Sequence, residues 1–226
     1  MKNTMLLCAL FIALTASMDI HAADTAELKV KGTVRPAACT LTLGGGGTVD
    51  YGHITNSQLS GSKPTKLPPK TIPYSVNCPN GGAIIGVMLT DNRKASVVKG
   101  MIISTEGDNF GLGTVNGKNL GVFIVGTNTT DLRIPGHDNP WAPYELSSIN
   151  GGQSWWPRGY PVGSYPASLP PNVMRSWGLS SDYRPSAITS MSGILTVEAM
   201  LETIGNLPTG DNIPLDGSAT MEMIYL

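Results

Sequence analysis

Residues 28–34, Leu-Lys-Val-Lys-Gly-Thr-Val, alternate apolar and polar side chains and lead straight toward Cys39. A period of two is the mark of a strand with one face against apolar partners and the other in water. The same period returns at 71–78, where Ile72, Tyr74, Val76 and Cys78 fall on one face. It returns again at 193–202, where Leu195, Val197, Ala199 and Leu201 alternate with Thr196, Glu198, Met200 and Glu202. A helix fits 193–202 less well, because it would separate the two Glu side chains from the other polar ones. Further strand-like runs occupy 40–43, 49–52, 83–90, 97–104, 120–125 and 219–226, with Gly44-Gly45-Gly46-Gly47 as a turn between the first two. With 27 Gly, 17 Pro and only 14% charged residues, the composition favours many turns and few long helices. The pattern predicts one all-β domain over 36–226.

Residues 1–22 carry the three zones of a secretory signal: Lys2, an apolar run over 5–16, and Ile20-His21-Ala22 before a cleavage point. The run is about 12 residues, short of the roughly 20 a spanning helix needs, and no later stretch is longer and as apolar. The chain is therefore expected to be exported, without a membrane span once the signal is cut. Cys8 leaves with the signal, so Cys39 and Cys78 remain as an even pair in an oxidising compartment and are expected to bond. Closing a loop of about 40 residues in this way adds roughly 4 kcal/mol in the chain-entropy account. A metal or redox pair would call for a short Cys-x-x-Cys spacing or a nearby His, and neither is present.

The net charge of −1 and the lack of a basic cluster argue against nucleic acid. Beyond the signal the histidines are His53 and His137, far apart, and no His-Glu-x-x-His appears. Gly44 to Gly47 lacks the Lys-Ser/Thr of a phosphate cradle, and no Gly-x-Ser-x-Gly elbow occurs. His137-Asp138 lies in a Pro/Gly-rich stretch and reads as a turn. No enzymatic activity, cofactor or metal is expected. The middle of the chain, 126–185, holds Trp141, Trp155, Trp156 and Trp177 with many prolines. It reads as a long elaborated loop with a short hairpin, covering one end of the domain. Two roles stay open for its indoles: stacking on a sugar beside Arg158, Arg175, Asn150 or Gln153, or forming a small core for the loop itself.

Gly32-x-Val34, Ala37-Ala38-Cys39-Thr40, Val49-x-Tyr51-Gly52, a second cysteine ending the next strand at Cys78, and the closing Ala219-Thr220-Met221-Glu222-Met223-Ile224-Tyr225-Leu226 occur in that order. In this the chain resembles the pilin subunits of chaperone-usher fimbriae, most strongly over 26–90 and 193–226. Over nearly its whole mature length it also resembles the GltF-like group of exported proteins, themselves pilin-like. The shared stretches are Gly46-Gly47-Thr48-Val49-Asp50-Tyr51-Gly52, Asp91-Asn92-Arg93, Phe110-Gly111-Leu112-Gly113 and Leu215-Asp216-Gly217-Ser218-Ala219-Thr220. The extra length in the tryptophan-rich region departs from ordinary pilins.

The resemblance implies an immunoglobulin-like β-sandwich that lacks its last strand. A periplasmic chaperone would fill the gap first. The N-terminal extension of a neighbouring fimbrial subunit would replace it at the outer-membrane usher, a strand-addition mode known for pilins. Carried over, the extension is 23–35, with Ala26, Leu28, Val30, Gly32 and Val34 as donor residues and Gly32 where the family brings backbones close. Cys39 and Cys78 would join the first two strands of the body. Ala219, Met221, Met223 and Tyr225 would line the acceptor groove and form the chaperone's docking edge. The alternation of 28–34 fits equally a first strand paired within its own domain. The functional expectation is a fimbrial structural subunit located in the periplasm and then at the cell surface. Its alternatives are a minor or tip subunit binding a carbohydrate through the tryptophans, and a freestanding periplasmic protein with a binding or regulatory role.

Overall fold

The computed structural model describes residues 27–32, 38–79, 81–127, 129–136, 144–157, 167–179, 182–209 and 212–226. Ala26, Val34 and Trp141, named above as site residues, lie outside these. The chain divides into two units, residues 1–35 and 36–226. In the first, residues 27–32 form no regular element, Leu28 and Val30 are 89% and 90% exposed, and Lys29 pairs with Glu27 at 3.0 Å.

The second unit is built from strands and short 3-10 turns. In chain order the strands are β1 (Thr40–Leu43), β2 (Thr65–Lys66), β3 (Lys70–Asn77), β4 (Ile85–Asp91), β5 (Phe110–Gly111), β6 (Thr114–Val115), β7 (Lys118–Asn119), β8 (Gly121–Thr127), β9 (Tyr144–Ser148), β10 (Trp156–Pro157), β11 (Ala167–Ser168), β12 (Met174–Gly178), β13 (Ser190–Leu201) and β14 (Ala219–Tyr225). One sheet runs β1-β3-β13-β8-β11, with β2 also on β13 and β5 also on β8. The other runs β10-β9-β12-β4-β14, and β6-β7 is a separate hairpin. All strand pairings are antiparallel.

The order β1-β3-β13-β8 reproduces strands A-B-E-D of an immunoglobulin sandwich, and β4 beside β14 reproduces C beside F. This is the all-β class expected from the alternation, and the immunoglobulin-like sandwich that the resemblance implies. Strand G of that fold would lie along the outer edge of β14, and no described residue of the body pairs there. The sheets share one core, in which Ile72, Tyr74 and Val76 of β3 and Leu195 and Ala199 of β13 meet Ile85, Val87 and Leu89 of β4 and Trp177 of β12. At the Tyr74 side chain, burial first and Glu145 second raise the phenol above its ordinary pKa.

Local chemistry sets the strand ends. β1 stops at Leu43 because the next position, Gly44, faces Pro73, which has no N–H to offer and whose ring a Cβ on Gly44 would strike. The disulfide joins Cys39, just before β1, to Cys78, just after β3, as expected from the cysteine count.

Three expectations change. Residues 49–52 are not a strand: the Asp50 carboxylate accepts the Gly52 N–H at 2.7 Å, and Gly52 sits at φ 65°, which turns the chain. Residues 97–104 are not a strand either, because Gly100 at φ 79° breaks the run and the Asn109 amide ties down the Met101 carbonyl at 2.6 Å. The tryptophan-rich middle is more than a loop with a hairpin. Its described residues supply β9, β10 and β12, which widen the second sheet beyond β4, and β11, which pairs with β8.

Candidate functional site

The core is closed on the side of the inserted strands and open on the other. β4 and β14 are neighbours of equal length, yet Ile85, Val87 and Leu89 are buried while Ala219, Met221 and Met223 are only half-buried. Leu41 and Leu43 of β1, the facing edge of the other sheet, are also half-buried. Between these two edges lies a cleft of about 250 Å³. Ala219 and Met221 wall one side, Leu43, Val49 and Tyr51 wall the other, and Ile72, Leu89 and Leu195 lie at its base.

Both lips present backbone groups as well as apolar side chains. The Ser218 carbonyl accepts the Asn92 N–H at 3.0 Å, and the Leu226 N–H donates to the Ile84 carbonyl at 3.0 Å. Antiparallel ladders alternate, so between these points the even-numbered residues of β14 bond to β4. Ala219, Met221 and Met223 therefore turn their N–H and C=O outward, on the same residues whose side chains face the cleft. Across the gap, the Cys39 N–H donates to the Tyr225 hydroxyl at 2.6 Å, which shows that Cys39 points away from β3. By the same alternation Leu41 and Leu43 point that way too.

The ends of the cleft are fixed. Tyr225, 47% exposed, bridges the two lips at one end through its bond to Cys39. At the other end Asp91-Asn92-Arg93, Phe110-Gly111-Leu112-Gly113 and the 215–218 segment converge. The Asp91 carboxylate accepts N–H groups from Arg93 at 2.7 Å and Gly111 at 3.0 Å, and the Arg93 guanidinium holds Asp216 at 2.7 and 2.8 Å. This clasp carries the segment from Leu215 to Ser218 across the mouth, where a Cβ on Gly217 would meet Leu112 and Phe123 at 3.0 Å. Behind the Val49 lip, the Tyr51 hydroxyl donates to the Val197 carbonyl at 3.0 Å. Burial, and secondarily Glu198, push the Tyr51 phenol up to about 12.

The residues named from sequence fall as follows. Ala219 and Met221 line the cleft, Met223 continues their face, and Tyr225 closes the end. Leu28, Val30 and Gly32 belong to the other unit. Trp177 is 3% exposed within the main core, which removes it as a ligand residue. Trp155 is half-buried, and Trp156 is 39% exposed. Asn150 spends its amide on Ser148 and Ser154 of its own turn. Leu43, Val49, Tyr51 and Leu215 were missed as cleft residues; the Val49-x-Tyr51 motif was visible, but it was assigned to a strand. Among the described residues no three His, Cys, Asp or Glu side chains gather as metal ligands, and no helix is long and apolar enough to cross a membrane.

An immunoglobulin-like sandwich in which, among the described residues, no strand lies beyond β14 and an apolar cleft lies beside it defines the class. The sequence model of a family described as "Protein of unknown function (DUF1120)" matches residues 28–130. The chain is 26% identical to Protein GltF of Escherichia coli (strain K12) over 249 residues, covering 99% of this chain and 97% of that one. It is 25% identical to the protein YhcF of the same organism over 238 residues, covering 93% and 94%. Among solved structures, the P pilus rod subunit PapA aligns with a TM-score of 0.38 at 11% identity, over 88% of this chain and 99% of PapA.

Proposed function

We propose that this chain is a structural subunit of a chaperone-usher fimbria, and that its cleft is completed by a strand from another molecule. The observation that carries the reading is the β14 edge, where Ala219, Met221 and Met223 offer outward backbone groups and half-buried side chains together. A β-strand is the one ligand that satisfies both at once, by main-chain hydrogen bonds and alternate side-chain insertion. The alternating run 28–34 has seven residues, as has β14, and its Leu28 and Val30 are exposed. The chaperone would supply that strand before assembly, and residues 23–35 of a neighbouring subunit would supply it afterwards, at the usher.

The magnitudes are balanced enough to make the exchange conditional on a preformed cleft. Burying Leu28, Val30 and Val34 gives roughly 1.5–3 kcal/mol each. Each strand hydrogen bond adds about 1 kcal/mol. Ordering the segment costs about 1–2 kcal/mol per residue.

The test expresses the mature chain with and without residues 23–35, and with and without a periplasmic chaperone, and measures solubility and oligomer size. The intact chain should need the chaperone to stay soluble and should then form oligomers. The shortened chain should bind the chaperone and stop there. A well-folded monomer from the intact chain alone, with a shortened form that unfolds unless residues 23–35 are restored in the same chain, would overturn the proposal. That outcome would favour the freestanding periplasmic protein. Carbohydrate binding by a tip or minor subunit has the exposed Trp156 indole in its favour, and glycan-array binding lost in Trp156→Ala would support it.

A further inference from the structure

On the first sheet, Leu41 and Leu43 of β1, Tyr74 and Val76 of β3, and Met191 and Leu195 of β13 face the core. The residues between them face outward, and none of those in 40–44, 71–77 and 190–196 is charged. Thr42, Ser75 and Ser192 stand side by side in register across the three strands, and all are exposed. In the next row Pro73 faces Ile194, 36% exposed, and Gly44 brings no side chain. With Asp131 from the turn after β8, these two rows line an open depression of about 410 Å³. We infer that this depression binds a hexose unit of a neutral polysaccharide. Sugar hydroxyls would meet Asp131, Ser75, Ser192 and Thr42, and the C–H face of the ring would lie on Pro73 and Ile194.

Three observations select that ligand. The first is an available acceptor: among the described residues, the half-buried Asp131 has no hydrogen bond or ion pair. The guanidinium of Arg133, two residues on, donates instead to the Thr130 and Leu132 carbonyls at 2.6 and 2.9 Å. A carboxylate accepting from neutral hydroxyls makes the stronger, charge-assisted kind of bond. The second is a spent main chain: β3 lies between β1 and β13, and Ser192 exchanges bonds with the Arg133 backbone at 2.8 and 2.9 Å. A peptide strand therefore finds no backbone partners here, unlike at β14. The third is charge: the one ionised side chain of the lining is negative, so phosphate, sulfate and uronate groups are repelled. What fits is a ligand with many neutral hydroxyls and an apolar ring face.

Neighbouring strands lie about 4.8 Å apart, so Thr42 and Ser192 are about 10 Å apart and their row outreaches one ring. The site therefore suits a unit within a chain better than a free monosaccharide. Four polar side chains of modest net worth, without an aromatic platform, put Kd near about 1 mM, and display of many copies raises the apparent affinity. The depression and the cleft share no lining residue, so the site stands whether or not subunits join by strand addition.

The experiment probes a printed array of neutral, sialylated and sulfated glycans with the full mature chain, chaperone-bound where it is insoluble alone, and with the chaperone as control. The strongest neutral oligosaccharide is then titrated in solution by NMR. Neutral hexose chains should bind and anionic ones should not. Asp131→Asn should weaken the titrated Kd about tenfold. Ser75→Tyr, which fills the depression from its middle, should abolish binding, and Trp156→Ala should leave Kd unchanged. Urea midpoints of all three should match the parent chain, and Thr42→Val, weakening Kd about threefold, repeats the test should either of the first two unfold early. No neutral glycan bound, a preference for anionic glycans, or an unmoved Kd in the depression variants would overturn the site and leave strand addition untouched. Binding lost in Trp156→Ala but kept in Ser75→Tyr would move sugar recognition to the tryptophan-rich flank and overturn it as well.

Discussion

The second sheet has two edges that the chain treats in opposite ways. At one, the inserted strands β12, β9 and β10 extend it beyond β4; at the other, β14 is the last strand among the described residues. On the extended side the sheets are joined by buried polar groups. Arg175 of β12 donates to the Ser168 carbonyl at 3.0 Å and to the Ser147 hydroxyl, and its Nε lies 3.7 Å from Glu145. Glu145 in turn accepts from Thr127 of β8 at 3.0 Å. On the β14 side the sheets meet through the Tyr225 bond to Cys39, over a core that water can enter. The tryptophan-rich residues thus lie on the flank closed by buried polar groups, and the β14 flank keeps simple apolar lips.

Breaking the closed side should have the largest effect. Arg175 and Glu145 are 3% and 6% exposed, so Arg175→Ala leaves a buried carboxylate without its cation. That should cost about 3–5 kcal/mol in urea unfolding of the monomer. A loss of less than about 1 kcal/mol would mean that the network is hydrated and the flank is not closed.

Next in size is a matched pair across β4 and β14, where Leu89 and Met221 are register partners. Leu89→Ala should cost about 2–5 kcal/mol in any state of the protein. Met221→Ala should cost about 1 kcal/mol in the free subunit, because only part of its surface leaves water. In assembled material the Met221 variant should lose as much as the Leu89 variant, measured as resistance of the oligomer to urea. Equal losses in the free subunit would mean that the cleft is already sealed.

What the sequence made legible divides along the same line. The period of two found β3 and β13, and strand-like runs set between turn residues found β1, β4, β8 and β14, each to within a few residues. The tryptophan-rich insertion hid its strands. β12 reads Met-Arg-Ser-Trp-Gly and is buried throughout, so no wet face marked it, and its buried Arg175 is satisfied only by residues distant in sequence. The cleft was half legible: β14 was recognised as one lip, while the Val49–Tyr51 lip is irregular chain placed by an Asp50 turn. Trp177 stays open between stacking on a sugar and a core role in the sequence because its type and neighbours say nothing of depth; the pairing of β12 with β4 carries it into the core.

The smallest effect compares two tyrosines, Tyr51 at the cleft and Tyr74 in the closed core. Both phenols are held neutral mainly by burial, Tyr74 more strongly. A folded-state pKa raised above the unfolded value of 10.0 means that the fold favours the protonated phenol. Tyr51 therefore contributes stability that is complete below pH 10 and is lost as pH rises from 10 toward about 12. Tyr51→Phe should flatten the fall of stability with pH in that window. A strand in the cleft would bury Tyr51 further, so tyrosinate absorbance should place its titration higher in assembled material than in the free subunit, with Tyr74 unmoved. If Tyr51 titrates at the same pH in both states, whatever joins the subunits does not enter this cleft, and the contrast between the two flanks loses its functional meaning.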